Sequence, residues 1–371
     1  MALKLTNFRP VGFDAAPDTI CVGDDGLVTT SVPAGADVID CKGAYLSPGW
    51  CDLHVHVWHG GTDISVRASE AGRATGVTAM ADAGSAGEAA FHGLREYVID
   101  AEQETIRAFL NIGSIGLVAC NRVPELIDMR SIDVDRTLEV AEANRDVICG
   151  IKVRASGVIV GAWGVTPAKI AKRVAEILHL PLMVHVGEPP PLIDEIFDIL
   201  KPGDIVTHCF NGKRAGSIDD TAALFQQAKR LAEEGVRMDI GHGQASFSFD
   251  TARNAIANGL RPWSISTDLH LRNIHGPVHD LATTMSKLLA VGLPFDEVVA
   301  SVTDRPRSVL GLGARDGASP GRKADFTVFD LQDAGIEAVD SLGSRMTLSQ
   351  LFEPRMTVIG ASAMAAERRK G

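Results

Sequence analysis

The sequence predicts an α/β protein whose core is a (β/α)₈ TIM barrel, with a small β-sandwich-like domain formed from both chain termini. Three observations predict this fold. The length of 371 residues suits one large barrel with an appendage. From about residue 48, apolar runs alternate with amphipathic stretches, and both ends of the chain alternate as β-strands do. An apolar content of 45% excludes disorder as the main state.

Eight apolar runs predict the strands of the barrel. They span residues 49–53, 77–81, 106–112, 147–153, 180–184, 204–207, 236–240 and 263–267. Helical spacing of apolar residues is clearest over residues 165–178, 221–234 and 280–291. A doubly wound open sheet shares this alternation, but it needs a glycine-rich phosphate loop after its first strand. A histidine-rich loop occupies residues 54–61 instead, which favours the barrel.

The two chain ends predict the second domain. Residues 19–22 and 27–32 alternate as strands on either side of an Asp-Asp-Gly turn. Residues 324–331 and 356–360 also show the alternation of β-strands, near the other end of the chain. We therefore expect residues 1–47 and 313–371 to join into the small β domain, and residues 48–312 to form the barrel.

Charge and cysteine usage narrow the class of partner and compartment. Lysine and arginine number 36 against 47 acidic residues, a net charge of −11, and no basic run occurs before residues 367–370, so nucleic acid is not expected as a partner. The six cysteines form no Cys-x-x-Cys pair, which is typical of reduced thiols. With neither an apolar signal sequence nor a stretch long enough to span a membrane, we expect a cytoplasmic protein without a membrane partner.

Ionisable side chains recur where the predicted strands end, and in a barrel these ends share one face. They are His54 and His56 on the first strand, Lys152 on the fourth, His185 on the fifth, His208 on the sixth and Asp268 on the eighth. Alternation along a strand directs residues i and i+2 to the same side, so both histidines of the first strand can reach one ion. Imidazole and carboxylate ligands suit zinc, and also manganese, iron or nickel.

Lys152 predicts a second feature of this face. A lysine in a buried strand is costly as a cation, and burial lowers its pKa. The neutral amine can react with CO₂ to give a carbamate, an oxygen ligand able to bridge two metals. A lysine paired with a carboxylate, or one that extends to the rim, is the structural alternative.

Two motifs resemble the amidohydrolase superfamily. Residues 46–56, Leu-Ser-Pro-Gly-Trp-Cys-Asp-Leu-His-Val-His, resemble its opening motif, and residues 320–330 resemble the segment that returns to its β domain. The resemblance covers nearly the whole chain and is strongest to the dihydroorotase-like amidohydrolase/deacetylase group, which includes acetyl-mandelate deacetylases. It implies a metal-dependent hydrolase barrel with two divalent ions, zinc being expected. It assigns as ligands His54, His56, His185, His208 and Asp268, with carboxylated Lys152 bridging the ions.

The same resemblance implies a reaction. The enzyme would cleave an ester or amide by a metal-bridging hydroxide, deacetylating an acylated α-substituted carboxylate such as acetyl-mandelate or an N-acyl amino acid. Asp268 would be the catalytic general base and then general acid. The partner would be a small anionic substrate, and the enzyme a homo-oligomer.

Three further residues are candidates for binding the substrate. Arg154, two positions after Lys152, could hold a carboxylate through two hydrogen bonds, unless it is an exposed rim arginine. His242 follows the seventh strand between two glycines, and a structural hydrogen bond is the alternative. Trp58 lies in the first loop, where it would wall the pocket or pack within the loop.

Other activities stay open at this stage. Dihydroorotases usually carry an arginine where Trp58 stands, so dihydroorotate is not the expected substrate. Residues 185–188, His-Val-Gly-Glu, resemble the mononuclear adenosine deaminases, which lack a bridging lysine. A deaminase, a cyclic amidase or a lactonase is therefore the alternative. A non-catalytic barrel scaffold is disfavoured because every ligand position is filled.

Overall fold

The computed structural model describes residues 2–32 and 35–370. Its strands form three sheets, a seven-stranded sheet from the middle of the chain and two smaller sheets from its ends. Within the described ranges, none of the helices has the length and apolar character needed to cross a membrane.

The N-terminal segment forms six short strands. They are β1 (Leu3–Thr6), β2 (Arg9–Pro10), β3 (Thr19–Val22), β4 (Val28–Thr29), β5 (Asp37–Asp40) and β6 (Tyr45–Pro48). Four of them make one small sheet in the order β4-β3-β1-β5. The strand predicted over residues 27–32 is shorter in the structure, and residues 33–34 lie outside the described part of the chain.

Seven parallel strands form the barrel wall in chain order. They are β7 (Trp50–Val55), β8 (Val77–Gly87), β9 (Thr105–Asn111), β10 (Ile148–Ala155), β11 (Leu182–Val186), β12 (Ile205–Thr207) and β13 (Arg237–Asp239). Each overlaps a predicted apolar run, because strands covered on both faces need side chains that tolerate burial. Apolar side chains such as Leu53, Phe109 and Met183 fill the lower interior.

The eighth position of the barrel differs from the prediction. Residues 263–269 form isolated bridges, Asp239 with Ser264 and Val55 with Leu269, and no regular strand is assigned to this described segment. The segment still closes the barrel, since Asp268 N donates to the carbonyl of His54 at 2.6 Å. The predicted (β/α)₈ barrel with a β-rich region from both termini is thus confirmed, with an irregular last strand.

Helices follow most strands. They are α1 (Ala68–Ala71), α2 (Phe91–Leu94), α3 (Val134–Ala143), α4 (Gly157–Val160), α5 (Thr166–Leu178), α6 (Ile193–Phe197), α7 (Ala222–Glu233), α8 (Phe249–Ala257), α9 (Leu281–Ala290), α10 (Phe295–Ala300) and α11 (Asp304–Val309). The three predicted helices correspond to α5, α7 and α9. Side-chain caps fix two of their starts, Thr221 before α7 and Asp280 before α9.

The C-terminal strands extend further than the sequence pattern indicates. β14 (Asp325–Val339) and β15 (Arg345–Ile359) form a hairpin of 15 residues per strand, followed by β16 (Ser362–Ala365). They join the N-terminal strands in a sheet of order β16-β15-β14-β6-β2. Leu5 and Ile20 of the first small sheet pack with Phe326 and Val358 of this one, so the two termini share a core.

The outer part of this hairpin lies against the barrel. Phe352 N donates to Ser286 Oγ of α9 at 3.0 Å. At the tip, Asp340 Oδ2 accepts from Phe249 N at 3.0 Å, and Ser341 Oγ donates to the carbonyl of Gly243 at 2.9 Å. The hairpin tip therefore contacts the loop that follows β13.

A buried arginine joins the barrel to the terminal strands. Arg307 in α11 donates from Nη2 to Asp325 Oδ2 at 2.7 Å and from Nη1 to the carbonyl of Gly49 at 3.2 Å. Its side chain is only 5% exposed and that of Asp325 13%. Because a buried carboxylate depends on such a partner, the pair couples the two parts of the fold.

We expect Arg307→Met to lower the free energy of unfolding by about 3–5 kcal/mol, because it leaves Asp325 buried without a cation. Urea unfolding measures this. Arg315→Met is the matched control: its pairs with Asp14 and Asp304 are largely exposed, so its loss should cost less than about 1 kcal/mol. Equal effects of the two substitutions would contradict the assignment.

Candidate metal centre

The six predicted ligands meet at the carboxyl end of the barrel. They are His54 in β7, His56 just after it, Lys152 in β10, His185 in β11, His208 after β12 and Asp268 in the closing segment. Asp268 Oδ1 lies 3.4 Å from His54 Nε2 and 3.0 Å from His56 Nε2. Lys152 Nζ lies 3.3 Å from His54 Nε2. The strands thus bring together side chains that are more than 200 positions apart in sequence.

His208 connects the two sides of this group. Its ring centroid is 4.3 Å from that of His185 and 5.2 Å from that of His54. The ligand atoms of His54, His208 and Asp268 all lie within 4.8 Å of one another. Donor atoms at such spacing suit metal binding, and His185 and His56 lie next to them.

Hydrogen bonds orient two of the imidazoles. Thr207 Oγ1 donates its proton to Asp239 Oδ2 at 2.7 Å, so it accepts from Nδ1–H of His54, also at 2.7 Å. Nδ1–H of His208 donates to the carbonyl of Gly241. Both rings therefore direct the lone pair of Nε2 toward the group, which is the tautomer that a metal requires.

A buried nitrogen without a hydrogen-bond partner indicates whether these residues fit a metal ion. His208 Nε2 is buried, and it has no hydrogen-bond partner among the residues described. Buried polar atoms without a partner are rare, because the lost hydration is not replaced. A divalent ion would satisfy this lone pair, so the donor set fits the metal site expected from the sequence.

Burial and neighbouring groups set the protonation states of the predicted ligand side chains. It lowers the pKa of His54 well below the ordinary value and that of His208 to about 3, so both imidazoles are neutral. Burial alone would raise the pKa of Asp268, but His54 and His56 hold it well below its usual range. Neutral imidazoles and an ionised carboxylate are the protonation states of metal ligands.

Lys152 is buried beside neutral groups. Besides His54, its Nζ contacts Met183 Sδ at 3.4 Å, and burial lowers its pKa to about 7. Gly84 makes room for its stem: a Cβ there would lie 2.7 Å from Lys152 Cγ, and φ is +88°. An amine with this pKa has a substantial neutral fraction at neutral pH, which fits the chemistry of carbamate formation.

Two ligand residues have strained backbones. His208 has φ 69° and Asp268 φ 51°, in the left-handed region. Asparagine side chains stabilise both turns: Asn211 Nδ2 donates to the carbonyl of His208 at 3.0 Å, and Asn273 Nδ2 to that of Asp268 at 2.7 Å. Such strain is characteristic of functional sites, where surrounding contacts impose it.

A small cavity of about 130 Å³ opens onto this group. Its lining includes His54, His56, His185, Asp268 and Arg154, and also His270, Asn121 and Arg272. Arg154 is held by Glu125 through two hydrogen bonds, from Nε at 2.7 Å and from Nη2 at 2.6 Å. The buried carboxylate fixes the guanidinium, so Arg154 lies where a substrate-binding arginine was expected.

The other two predicted substrate residues lie outside the described lining of this cavity. His242 is fully buried and is missing from the described cavity lining. Its Nε2 accepts a hydrogen bond from Lys287 at 2.9 Å, and Phe247 packs on its ring at 4.6 Å. Trp58 packs against Gly61 and Gly93 outside that lining. Each side chain thus has a contact that is distant in sequence, Lys287 for His242 and Gly93 for Trp58.

Sequence reasoning missed several residues of the site. Thr207 and Asp239 orient His54, and Asn211 and Asn273 support the strained turns. Arg272 lines the cavity two positions after His270. The positions of Thr207, directly before His208, and of Asp239, at the end of the seventh strand, could have indicated a role in the site. Their hydrogen-bond partners lie on neighbouring strands, which the sequence pattern does not identify.

A barrel with four imidazoles, a carboxylate and a buried lysine at its carboxyl end defines a class of metal-dependent enzymes. Residues 45–363 match the Amidohydrolase family, and the chain belongs to it. The predictions of this superfamily and of a hydrolase are confirmed: the chain is a metal-dependent amidohydrolase.

Similar proteins carry several names. A protein of Brucella anthropi named deacetylase is 58% identical over 376 residues, covering 99% of this chain and 93% of that protein. A crystal structure of a dihydroorotase is 56% identical with a TM-score of 0.96, covering 100% of this chain and 99% of that one. A crystal structure of an adenine deaminase is 31% identical with a TM-score of 0.88, covering 98% and 99%.

Proposed function

We propose that this amidohydrolase is a deacetylase of small acylated α-substituted carboxylates, such as acetyl-mandelate or an N-acyl amino acid. One observation carries the proposal: Arg154 and Asp268 line the same small cavity as the imidazoles. An arginine can bind the substrate carboxylate while the acyl bond lies beside Asp268. A cavity of about 130 Å³ suits a small acyl group, since pockets for larger ligands measure roughly 300–1,000 Å³. The name of the Brucella anthropi relative supports the same reaction.

The ligand group supports a two-metal centre in this proposal. His54, His56 and Asp268 would hold one ion, and His185 and His208 the other, with carboxylated Lys152 between them. Zinc is the proposed metal because imidazole and carboxylate donors suit it. When bound, such ions lower the pKa of a water molecule and polarise an acyl carbonyl.

The side chains supply proton transfer and binding. Asp268 Oδ1 lies beside His54 and His56, which leaves Oδ2 to accept a proton from the attacking water. The same oxygen then returns the proton to the leaving nitrogen or oxygen, as general base and general acid. Arg154 holds the carboxylate with the guanidinium nitrogen that Glu125 leaves free.

Deamination is less well supported by the geometry. Glu188, which resembles a deaminase acid in sequence, pairs with Lys213 Nζ at 2.8 Å and accepts from Ser156 Oγ at 2.7 Å. Burial opposes the effect, but the hydrogen bonds from Lys213 and Ser156 lower its pKa to about 2. A carboxylate that is ionised at neutral pH does not suit protonation of a ring nitrogen.

Metal content tests the two-metal centre. We expect two divalent ions per chain and, after exchange with ¹³C-bicarbonate, a carbamate resonance that Lys152→Met lacks. Removal of the ions with a chelator should abolish hydrolysis, and zinc should restore it. One tight ion with an unmodified Lys152 would refute this arrangement and favour the deaminase-like alternative.

A substrate panel tests the reaction itself. We expect hydrolysis of O-acetyl hydroxy acids or N-acyl amino acids to exceed turnover of lactones, cyclic amides and adenine. Asp268→Asn should lower kcat by about 10²–10⁴-fold, because it removes the proton acceptor. Asp250→Asn, at a largely exposed position, is the matched control and should leave kcat unchanged. Undiminished hydrolysis by Asp268→Asn would contradict its role.

Substitution of Arg154 tests whether the substrate carries a negatively charged carboxylate. We expect Arg154→Met to raise KM for an acetylated carboxylate by about 10–100-fold, the cost of one charge-assisted hydrogen bond, and to leave a neutral ester unaffected. The double variant Arg154→Met, Glu125→Leu avoids a buried unpaired carboxylate, and we expect it to raise KM by a similar factor. Arg122→Met is the exposed control. An unchanged KM in the double variant would exclude Arg154 as the carboxylate-binding residue.

A further inference from the structure

A second and larger cavity lies behind the loop that follows β13. Its volume is about 900 Å³, and it is bordered by α9, the tip of the β14–β15 hairpin and the last residues described. Of the residues described around each cavity, none lines both. It is therefore a site separate from the metal centre.

The wall of this cavity is rich in basic side chains. They are His275, His279, Lys287, Arg368 and Lys370. The two acids of the lining are already engaged: Glu337 pairs with Arg345, and Asp340 accepts from the backbone N–H groups of Phe249, Leu342 and Ser344. Arg368 and Lys370 thus give this wall cationic groups that suit an anion, on a chain whose net charge is −11.

Two polar groups in the wall have unused hydrogen-bonding capacity. Thr283 is 5% exposed, and its Oγ1 has no partner among the described residues. Arg368 uses Nε for Glu353 at 3.1 Å and Nη1 for the carbonyl of Arg369 at 2.9 Å, which leaves Nη2. A group bound in the cavity could satisfy this hydroxyl, and Nη2 of Arg368 could donate to the same group.

Apolar side chains form the rest of the wall. Ile336, Leu348 and Leu351 come from the hairpin, and Pro277 from the loop before α9. Ile336 is 43% exposed, so part of this apolar surface is accessible to solvent. The combination suits a ligand with an apolar body and an anionic end.

Lys287 links this cavity to the loop behind Asp268. Its Nζ donates to His242 Nε2 at 2.9 Å, to the carbonyl of Pro277 at 2.6 Å and to that of Val339 at 2.8 Å. All three donor positions are used, so Lys287 has no free donor for a ligand, and burial lowers its pKa to about 7. His242 precedes Gly243, at which a Cβ would lie only 2.7 Å from Asp268 Oδ2.

We propose that this cavity is a second small-molecule site, which binds an organic anion with an apolar body through Thr283, Arg368 and Lys370. Octanoate is a suitable probe, and octanamide is its uncharged counterpart. Calorimetric titration of the full chain should give one octanoate per chain, bound at least about tenfold more tightly than octanamide.

Variants distinguish the two cavities. Lys370→Glu, an exposed change, and the double variant Thr283→Val, Arg368→Gln should each weaken octanoate binding about tenfold or more. Arg315→Gln and Arg154→Met should not alter it; the first is a surface control and the second removes the arginine of the metal-site cavity. Thermal unfolding checks that each variant is folded.

Three results would overturn the proposal. One is the absence of octanoate binding to the unaltered chain at millimolar concentration. Another is binding that Lys370→Glu and the double variant leave unchanged. The third is binding that Arg154→Met abolishes, since the anion would then occupy the metal-site cavity.

Discussion

The segment that closes the barrel, residues 263–269, is the structural constraint on which the metal centre depends. Residues 263–269 join β13 to β7 with few backbone bridges, and two buried carboxylates reinforce them. Asp52 accepts from Thr267 N at 3.1 Å and from Thr267 Oγ1 at 2.6 Å. Asp239 accepts from the hydroxyls of Ser264 and Ser266. Because buried carboxylates need such donors, the segment has one favourable position, which brings Asp268 to the histidines of β7.

The same closing segment is connected to the orientation of a metal-binding residue, His54. Asp239 also accepts from Thr207, whose oxygen receives the Nδ1 proton of His54. Asp239 thus contributes both to barrel closure and to the tautomer of an imidazole. The strained turns at His208 and Asp268 add to this preorganisation, since asparagine side chains hold both carbonyls. A site supported in this way holds its donor atoms in place before a metal binds.

The C-terminal hairpin gives the terminal strands a role near the metal centre. Its tip contacts the loop that carries His242 and Gly243, and Lys287 ties that loop to both α9 and the hairpin. Gly243 in turn lies against Asp268, so the hairpin supports the back of the site. The same hairpin encloses the larger cavity, which is why an anion bound there would lie close to this support.

The sequence predicts the barrel, the β-rich ends and the six strand-end residues that meet at the site, because each follows from local periodicity and from the common direction of parallel strands. It did not determine the direction of side chains in loops. His242 and Trp58 were expected at the substrate, yet His242 bonds to Lys287, 45 positions away, and Trp58 packs against Gly61 and Gly93. The irregular eighth strand and the long hairpin were likewise decided by the tertiary structure. Hydrogen bonds to buried carboxylates and amines form between distant segments, and no local pattern encodes them.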